Sequence, residues 1–178
     1  MRSLMLRTML AFGFVMGLAP GEVASAQSPT VSIEAEYLMT LEAPLDPPQV
    51  VGSRLIFNLP AGGSVHGPKI NGSIIPPAGD WLIPMADGSI RVDVRLTIKT
   101  DDGELIFFEA SGVVVPTKEA TDRFNKGEVI TSKDEYFVTA SKFSTASKKY
   151  EWLNHLQAVG KMVTSQTTKI KADYFVVR

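Results

Sequence analysis

The sequence predicts an all-β domain of antiparallel strands, and three observations carry that prediction. Apolar and polar residues alternate with period two in several runs, turn-forming pairs separate those runs, and helical periodicity is scarce. In the clearest run Ile90, Val92, Val94, Leu96 and Ile98 share one face, while Arg91, Asp93, Arg95, Thr97 and Lys99 share the other. Asp87-Gly88 before that run and Asp101-Asp102-Gly103 after it are hairpin signals. Short strands at such spacing fit a sandwich or a closed barrel. Eight strands close into a barrel whose interior is filled by side chains or holds one small ligand.

The elements follow in chain order. Arg2 and Arg7 precede the apolar run Leu10–Leu18, then Pro20-Gly21 and the small-x-small sequence Ala24-Ser25-Ala26. This is the layout of a secretory signal over residues 1–26, with cleavage expected between Ala26 and Gln27. The apolar run is about half the ~20 residues a membrane-spanning helix needs. A soluble periplasmic or secreted domain over residues 27–178 is therefore expected, with no membrane insertion after cleavage. Val31, Ile33, Ala35, Tyr37, Met39 and Leu41 alternate with polar residues and predict the first strand. Further strands are expected at Arg54–Leu59, in the extended stretch Ser64–Ile75, and at Asp80–Pro84 after a turn through Pro76-Pro77-Ala78-Gly79. Glu104–Val115 continues the sheet, and Glu119–Asn125 is a short helical stretch. Tyr136–Phe143, Val159–Val163 and Lys169–Val177 are the last strands, and Tyr150–Leu156 forms one or two helical turns between them.

Composition narrows the function classes. The 178 residues fit one domain, with enough chain to bury a core. Eighteen basic against nineteen acidic residues leave no basic footprint for nucleic acid. The absence of cysteine excludes disulfides, thiolate nucleophiles and Cys-ligated metals. Only His66 and His155 supply imidazoles, and no metal-ligand spacing is visible. Metal- and cofactor-free chemistry is the expectation.

Several motifs in fixed order resemble a known family. They are Gly62-Gly63-Ser64-Val65-His66-Gly67-Pro68-Lys69, Gly79-Asp80-Trp81, Asp93-Val94-Arg95 and Thr100-Asp101-Asp102-Gly103, followed by Tyr136-Phe137-Val138-Thr139 and Tyr150-Glu151-Trp152-Leu153-Asn154. Together they are similar to the domain of unknown function 3237 family, also called uncharacterised protein family 0311, across residues 31–178. The chain departs from the family pattern at Lys69, usually Arg, and at Leu96, usually aromatic. The resemblance implies a single antiparallel β-barrel of about eight strands with one short helix near the C-terminal third. It is similar in outline to the barrels of allene oxide cyclases and dirigent proteins. No activity comes with it, and fold alone does not confer one.

Seven residues stand out as candidates. Asp93 and Arg95, two apart on one strand, project from the same face. In a lumen they would form a catalytic ion pair, with the carboxylate as base and the guanidinium as an oxygen clamp. On the outer face they are solvated, as ordinary alternation implies. His66 could shuttle protons or serve as a loop hydrogen-bonder. Lys69 could present an ammonium to an anion, and Trp81 a flat face to an aromatic ligand. Asp80 starts the strand that carries Trp81, and Tyr37 shares the expected inward face of the first strand. The glycines of Gly62–Gly67 suit bends in a curved strand better than a phosphate loop, since no helix follows.

The expected function is binding of a small apolar or aromatic molecule in the lumen, with cofactor-free cyclase, isomerase or lyase chemistry as one reading. A non-catalytic carrier or a surface-interaction protein is the alternative. Outward apolar residues on the strands are compatible with a homodimer.

Overall fold

A computed structural model describes residues 31–178; the segment read as a secretory signal lies outside the described residues. In chain order the elements are β1 (Ala35–Pro44), β2 (Gln49–Val51), β3 (Arg54–Asn58), β4 (Ser64–His66), β5 (Asn71–Pro84), β6 (Ile90–Thr100) and β7 (Leu105–Pro116). Helix α1 (Lys118–Asn125) follows, then β8 (Ile130–Thr131), β9 (Glu135–Ser144), a 3₁₀ turn (Glu151–His155), β10 (Ala158–Gln166) and β11 (Lys169–Val177). Pairing runs β5–β4–β1–β11–β10–β9–β7–β6 and returns to β5, a closed antiparallel barrel of eight strands. Closure leaves no free edge in the ring. The β2–β3 hairpin lies beside it, joined to β5 through Leu55–Asn58 against Gly79–Leu82.

The two ends of the barrel are built differently. At the end under the 3₁₀ turn, Phe108 packs its ring against Phe143 and Tyr174, with centroids 5.4 and 5.1 Å apart. Leu96, Ile98, Ile106 and Leu153 are fully buried around them, so this half is a filled core. The 3₁₀ turn is tied down through Asp102 in the β6–β7 turn. That carboxylate accepts from Thr100 (2.6 Å), Lys149 (2.5 Å) and Tyr150 (3.1 Å). The other end carries a smaller cluster of Val92, Val114, Phe137 and Met162, with Ala120 of α1 laid over it.

Two expectations are corrected. Pro76-Pro77-Ala78-Gly79 is not a turn: β5 runs unbroken from Asn71 to Pro84, and its register against β6 shifts between Ile75 and Gly79. The prolines, which lack an N–H, occupy the irregular segment where no ladder bond is asked of them. On β1 a bulge lies between Tyr37 and Met39, opposite Phe175 and Tyr174 of β11. Leu38 and Met39 are consequently both buried, and the face Tyr37 occupies is turned outward.

Candidate functional site

The half of the barrel under α1 is only partly filled, and a cavity of about 260 Å³ remains there. Its walls are Leu82 of β5, Val92 of β6, Val114 of β7, Phe137 of β9, Ser165 of β10 and Ile170 of β11. Leu55 and Phe57 of β3 close one side, and Ala120 and Phe124 of α1 form the cover. An apolar cavity of roughly 150 Å³ already admits a benzene ring, so this one has room for a larger aromatic body.

The cover is positioned by its own sequence. Thr117 caps α1, its hydroxyl accepting from the Ala120 N–H at 3.0 Å. Arg123 in the last turn donates to the Asp134 carboxylate and to the Val129 carbonyl, each at 2.8 Å. Asp134 also accepts from the Thr131 N–H and hydroxyl, and these bonds, with Arg123, hold its carboxyl below the usual range. The helix is thereby fastened to the turn between β8 and β9 on its far side, leaving Ala120, Thr121, Phe124 and Asn125 to face the cavity.

Two acids meet this apolar space. Asp80 follows Ala78 on the inward side of β5, and its Oδ1 is fully buried without a hydrogen-bond partner. Removal from water pushes its carboxyl up to about 7; the Asp93 backbone N–H pulls the other way, and the Asp93 charge adds a small further rise. Glu135, first residue of β9, lies on the α1 side of the same cavity. Burial, then the charge of neighbouring Asp134, raises it to about 7 as well. None of the described residues lining the cavity is Lys, Arg or His. Two carboxyls that change charge near neutrality, facing apolar walls with no cation beside them, are suited to taking up and giving back a proton.

Of the residues singled out in the sequence, only Asp80 stands in this cavity. Asp93 and Arg95 are on the outer surface, half-exposed, bonded to each other at 3.1 and 3.3 Å. The alternation of β6 puts the apolar set inside, so the lumen ion pair gives way to a solvated one. Trp81, adjacent to Asp80, faces outward and lies over Gly79 of its own strand. His66 is exposed on β4, and its carbonyl accepts from the Tyr37 hydroxyl at 3.2 Å. Lys69 and Tyr37 flank a shallow notch of about 70 Å³ at the opposite, 3₁₀ end. There the Lys69 ammonium lies 3.9 Å from Glu36 and 5.7 Å from the Trp152 ring. Glu135 escaped sequence analysis because the strand was expected to begin at Tyr136. Among the described residues no cluster of three or more His, Asp or Glu is placed to hold a metal ion.

Comparison with known proteins decides the family. The family described as "Protein of unknown function (DUF3237)" matches residues 33–177, every barrel strand included. The chain belongs to that family. Among DUF3237 relatives, a UPF0311 protein of Clostridium acetobutylicum is 32% identical over 108 residues, covering 60% of this chain and 68% of the relative. The crystal structure of a conserved protein of unknown function from Rhodopseudomonas palustris superposes with a TM-score of 0.78 at 26% identity, covering 84% of this chain and all of that one. A hydroalkoxylation enzyme of Penicillium herquei is 31% identical over 100 residues, 56% of this chain and 51% of the enzyme. The DUF3237 barrel thus has a distant relative named as an enzyme.

Proposed function

We propose that this protein binds a small apolar, aromatic molecule in the cavity under α1 and rearranges it by cofactor-free proton transfer, with Asp80 as the group that moves the proton. One observation carries the reading: the buried, unpartnered Oδ1 of Asp80 in a cavity walled mainly by apolar side chains. Burying a carboxyl oxygen without a partner costs free energy, and a bound molecule that hydrogen-bonds to it recovers that cost. With its carboxyl near 7, Asp80 exists in both protonation states at neutral pH and can act as acid or base. Glu135, titrating in the same range on the side of the cover, is the complementary group.

Isomerisation and internal cyclisation fit this equipment. In either, a proton leaves one atom of the molecule and another is delivered elsewhere, with no net oxidation. Hydroalkoxylation, the reaction in the name of the Penicillium relative, is of this type: an O–H adds across a C=C bond, forming C–O and C–H bonds. Residues 1–26, as an export signal, would place the reaction in the periplasm or outside the cell. A mature N-terminus at Gln27 in the exported protein supports that assignment, and an uncleaved chain retained in the cytoplasm contradicts it.

The test mixes the purified protein with a metabolite extract of its source and follows the mixture by untargeted mass spectrometry. The expected result is a compound lost and replaced by an isomer of equal mass, with Asp80→Asn inactive although folded. A compound retained on the protein unchanged supports the carrier reading instead. No compound bound or altered refutes the site.

A further inference from the structure

Beneath the cavity the barrel has a polar waist built of small residues, and this feature extends the reading just proposed, on which it rests. Following each strand one inward position down from the wall, Val114 gives way to Gly112, Phe137 to Thr139 and Ile170 to Ala172. The next inward residue of β9 is Ser141. Thr139 is 2% exposed and Ser141 0%; neither hydroxyl has a well-formed hydrogen-bond partner, and the buried Tyr174 phenol lies beside that of Thr139. Thr139 is flanked in register by Gly112 on one side and Gly160 on the other. A Cβ at 160 would collide with the Thr139 hydroxyl and the Tyr174 ring, and one at 112 with the Thr139 methyl and the β9 backbone. The glycines leave the space that Thr139 uses. Asp80 lies on the row of Ser141: it pairs with Val94, Val94 with Ala110, and Ala110 with Ser141, across four strands.

Asp80 and Ser141 thus share a row, and Thr139 stands in the next row toward the cavity, level with Val92 through Gly112. Three buried oxygens short of partners on adjacent rows of one barrel are unusual, since buried polar groups are nearly always satisfied. They need either water or a polar group from a ligand.

We infer that Asp80, Thr139 and Ser141 form a subsite for an uncharged oxygen function of the ligand, a phenol, alcohol or ketone whose apolar body fills the cavity above. A hydroxyl can donate to the Asp80 carboxylate and accept from Thr139 or Ser141, and a carbonyl can accept from both hydroxyls. An anionic group is disfavoured, because no described lining residue is Lys, Arg or His and two carboxyls are present. Thr139 and Ser141 are positioning and specificity residues; the proton transfer stays with Asp80.

The test uses three probes of one shape, naphthalene, 2-naphthol and 2-naphthoate, titrated at pH 8 and followed by the amide NMR shifts of Phe137 and Ile170. Naphthalene reports the cavity, and the difference between it and 2-naphthol reports the subsite. The expected result is 2-naphthol bound at least about tenfold more tightly than naphthalene, the worth of one good hydrogen bond. The 2-naphthoate ion is expected to bind more weakly than either. In Thr139→Val/Ser141→Ala the advantage of 2-naphthol falls below about threefold while naphthalene binds as before; if that variant fails to fold, Ser141→Ala alone should at least halve the advantage. Equal affinities for naphthalene and 2-naphthol overturn the subsite and leave the cavity standing. So does an advantage that survives both substitutions, which would make the waist a water site only. If no probe shifts the two amides, the cavity reading falls and the subsite with it.

Discussion

Asp80 on β5 lies opposite Val94 on β6, and paired residues on adjacent strands project to the same face of a sheet. Val94 is turned to the core, so Asp80 is too, while Asp93, one residue away along β6, is turned to solvent. Two aspartates close together in the barrel wall thus live in opposite environments, and only one is available to a molecule inside.

Asp80→Asn should stabilise the protein at alkaline pH. A carboxyl whose folded pKa is raised from 3.8 to about 7 costs stability as soon as the unfolded chain ionises more readily than the folded one. The penalty is absent below about pH 4, grows between about 4 and 7, and is constant above. Asparagine removes it. The variant should exceed the parent by on the order of 2–4 kcal/mol at pH 8 and match it near pH 3.5, read by denaturant unfolding at each pH. Equal stability across the range would mean that the carboxyl is solvated or paired.

Asp93→Asn and Arg95→Gln should be silent by comparison. Their bond is on the surface, with the side chains 47% and 55% exposed. Exposed pairs contribute about 0–1 kcal/mol, and salt screens them. Thermal unfolding within a degree or two of the parent, and unchanged ligand binding, is the expected result.

The contrast between those two aspartates also shows how far the sequence could be read. The alternation of β6 is legible because its faces differ in kind: five aliphatic residues against five polar ones. On β9 the inward set is Phe137, Thr139, Ser141 and Phe143 and the outward set is Tyr136, Val138, Ala140 and Lys142, so neither face announces itself. The buried hydroxyls of the waist were therefore invisible. Tyr37 was misplaced for a different reason, since one extra residue at the β1 bulge inverts the face of everything before it. The barrel itself was legible from turns and alternation together with the family resemblance. Closure through the three-residue β4, and the partly filled half under α1, depend on side-chain volumes and register that no local pattern encodes.

The cover over the cavity should loosen when Arg123 is replaced. This side chain bonds Asp134, Val129 and Glu128, and of the residues in α1 only Ala120 is buried. In Arg123→Ala, amide hydrogen exchange over Lys118–Asn125 should accelerate several-fold while β6 and β7 stay protected. Ligand association and dissociation should both quicken. Unchanged exchange in the helix would show that Ala120 and Phe124 hold it without the arginine.

The opposite end gives a pH signature of the other sign. Asp102 is held down to about 2 by its bonds to Lys149, then Thr100 and Tyr150, set against a small cost of burial. A depressed carboxyl stabilises the fold above its unfolded pKa and loses that effect as pH falls through the folded one. The melting temperature of Asp102→Asn should therefore lie below that of the parent at pH 5 to 7. The two should converge between about pH 4 and 2, where the parent loses the same bonds.

The central claim is that Asp80 is a desolvated carboxyl facing an apolar cavity, and its own titration tests that most directly. Carbon-13 labelling of aspartate, with Asp80→Asn to assign the resonance, gives the midpoint by NMR. A midpoint near 7, shifting when an aromatic alcohol is added, is the predicted result. A midpoint near 4 that ignores such ligands would contradict it, because the carboxyl would then be exposed to water and the cavity would have no claim to be a site.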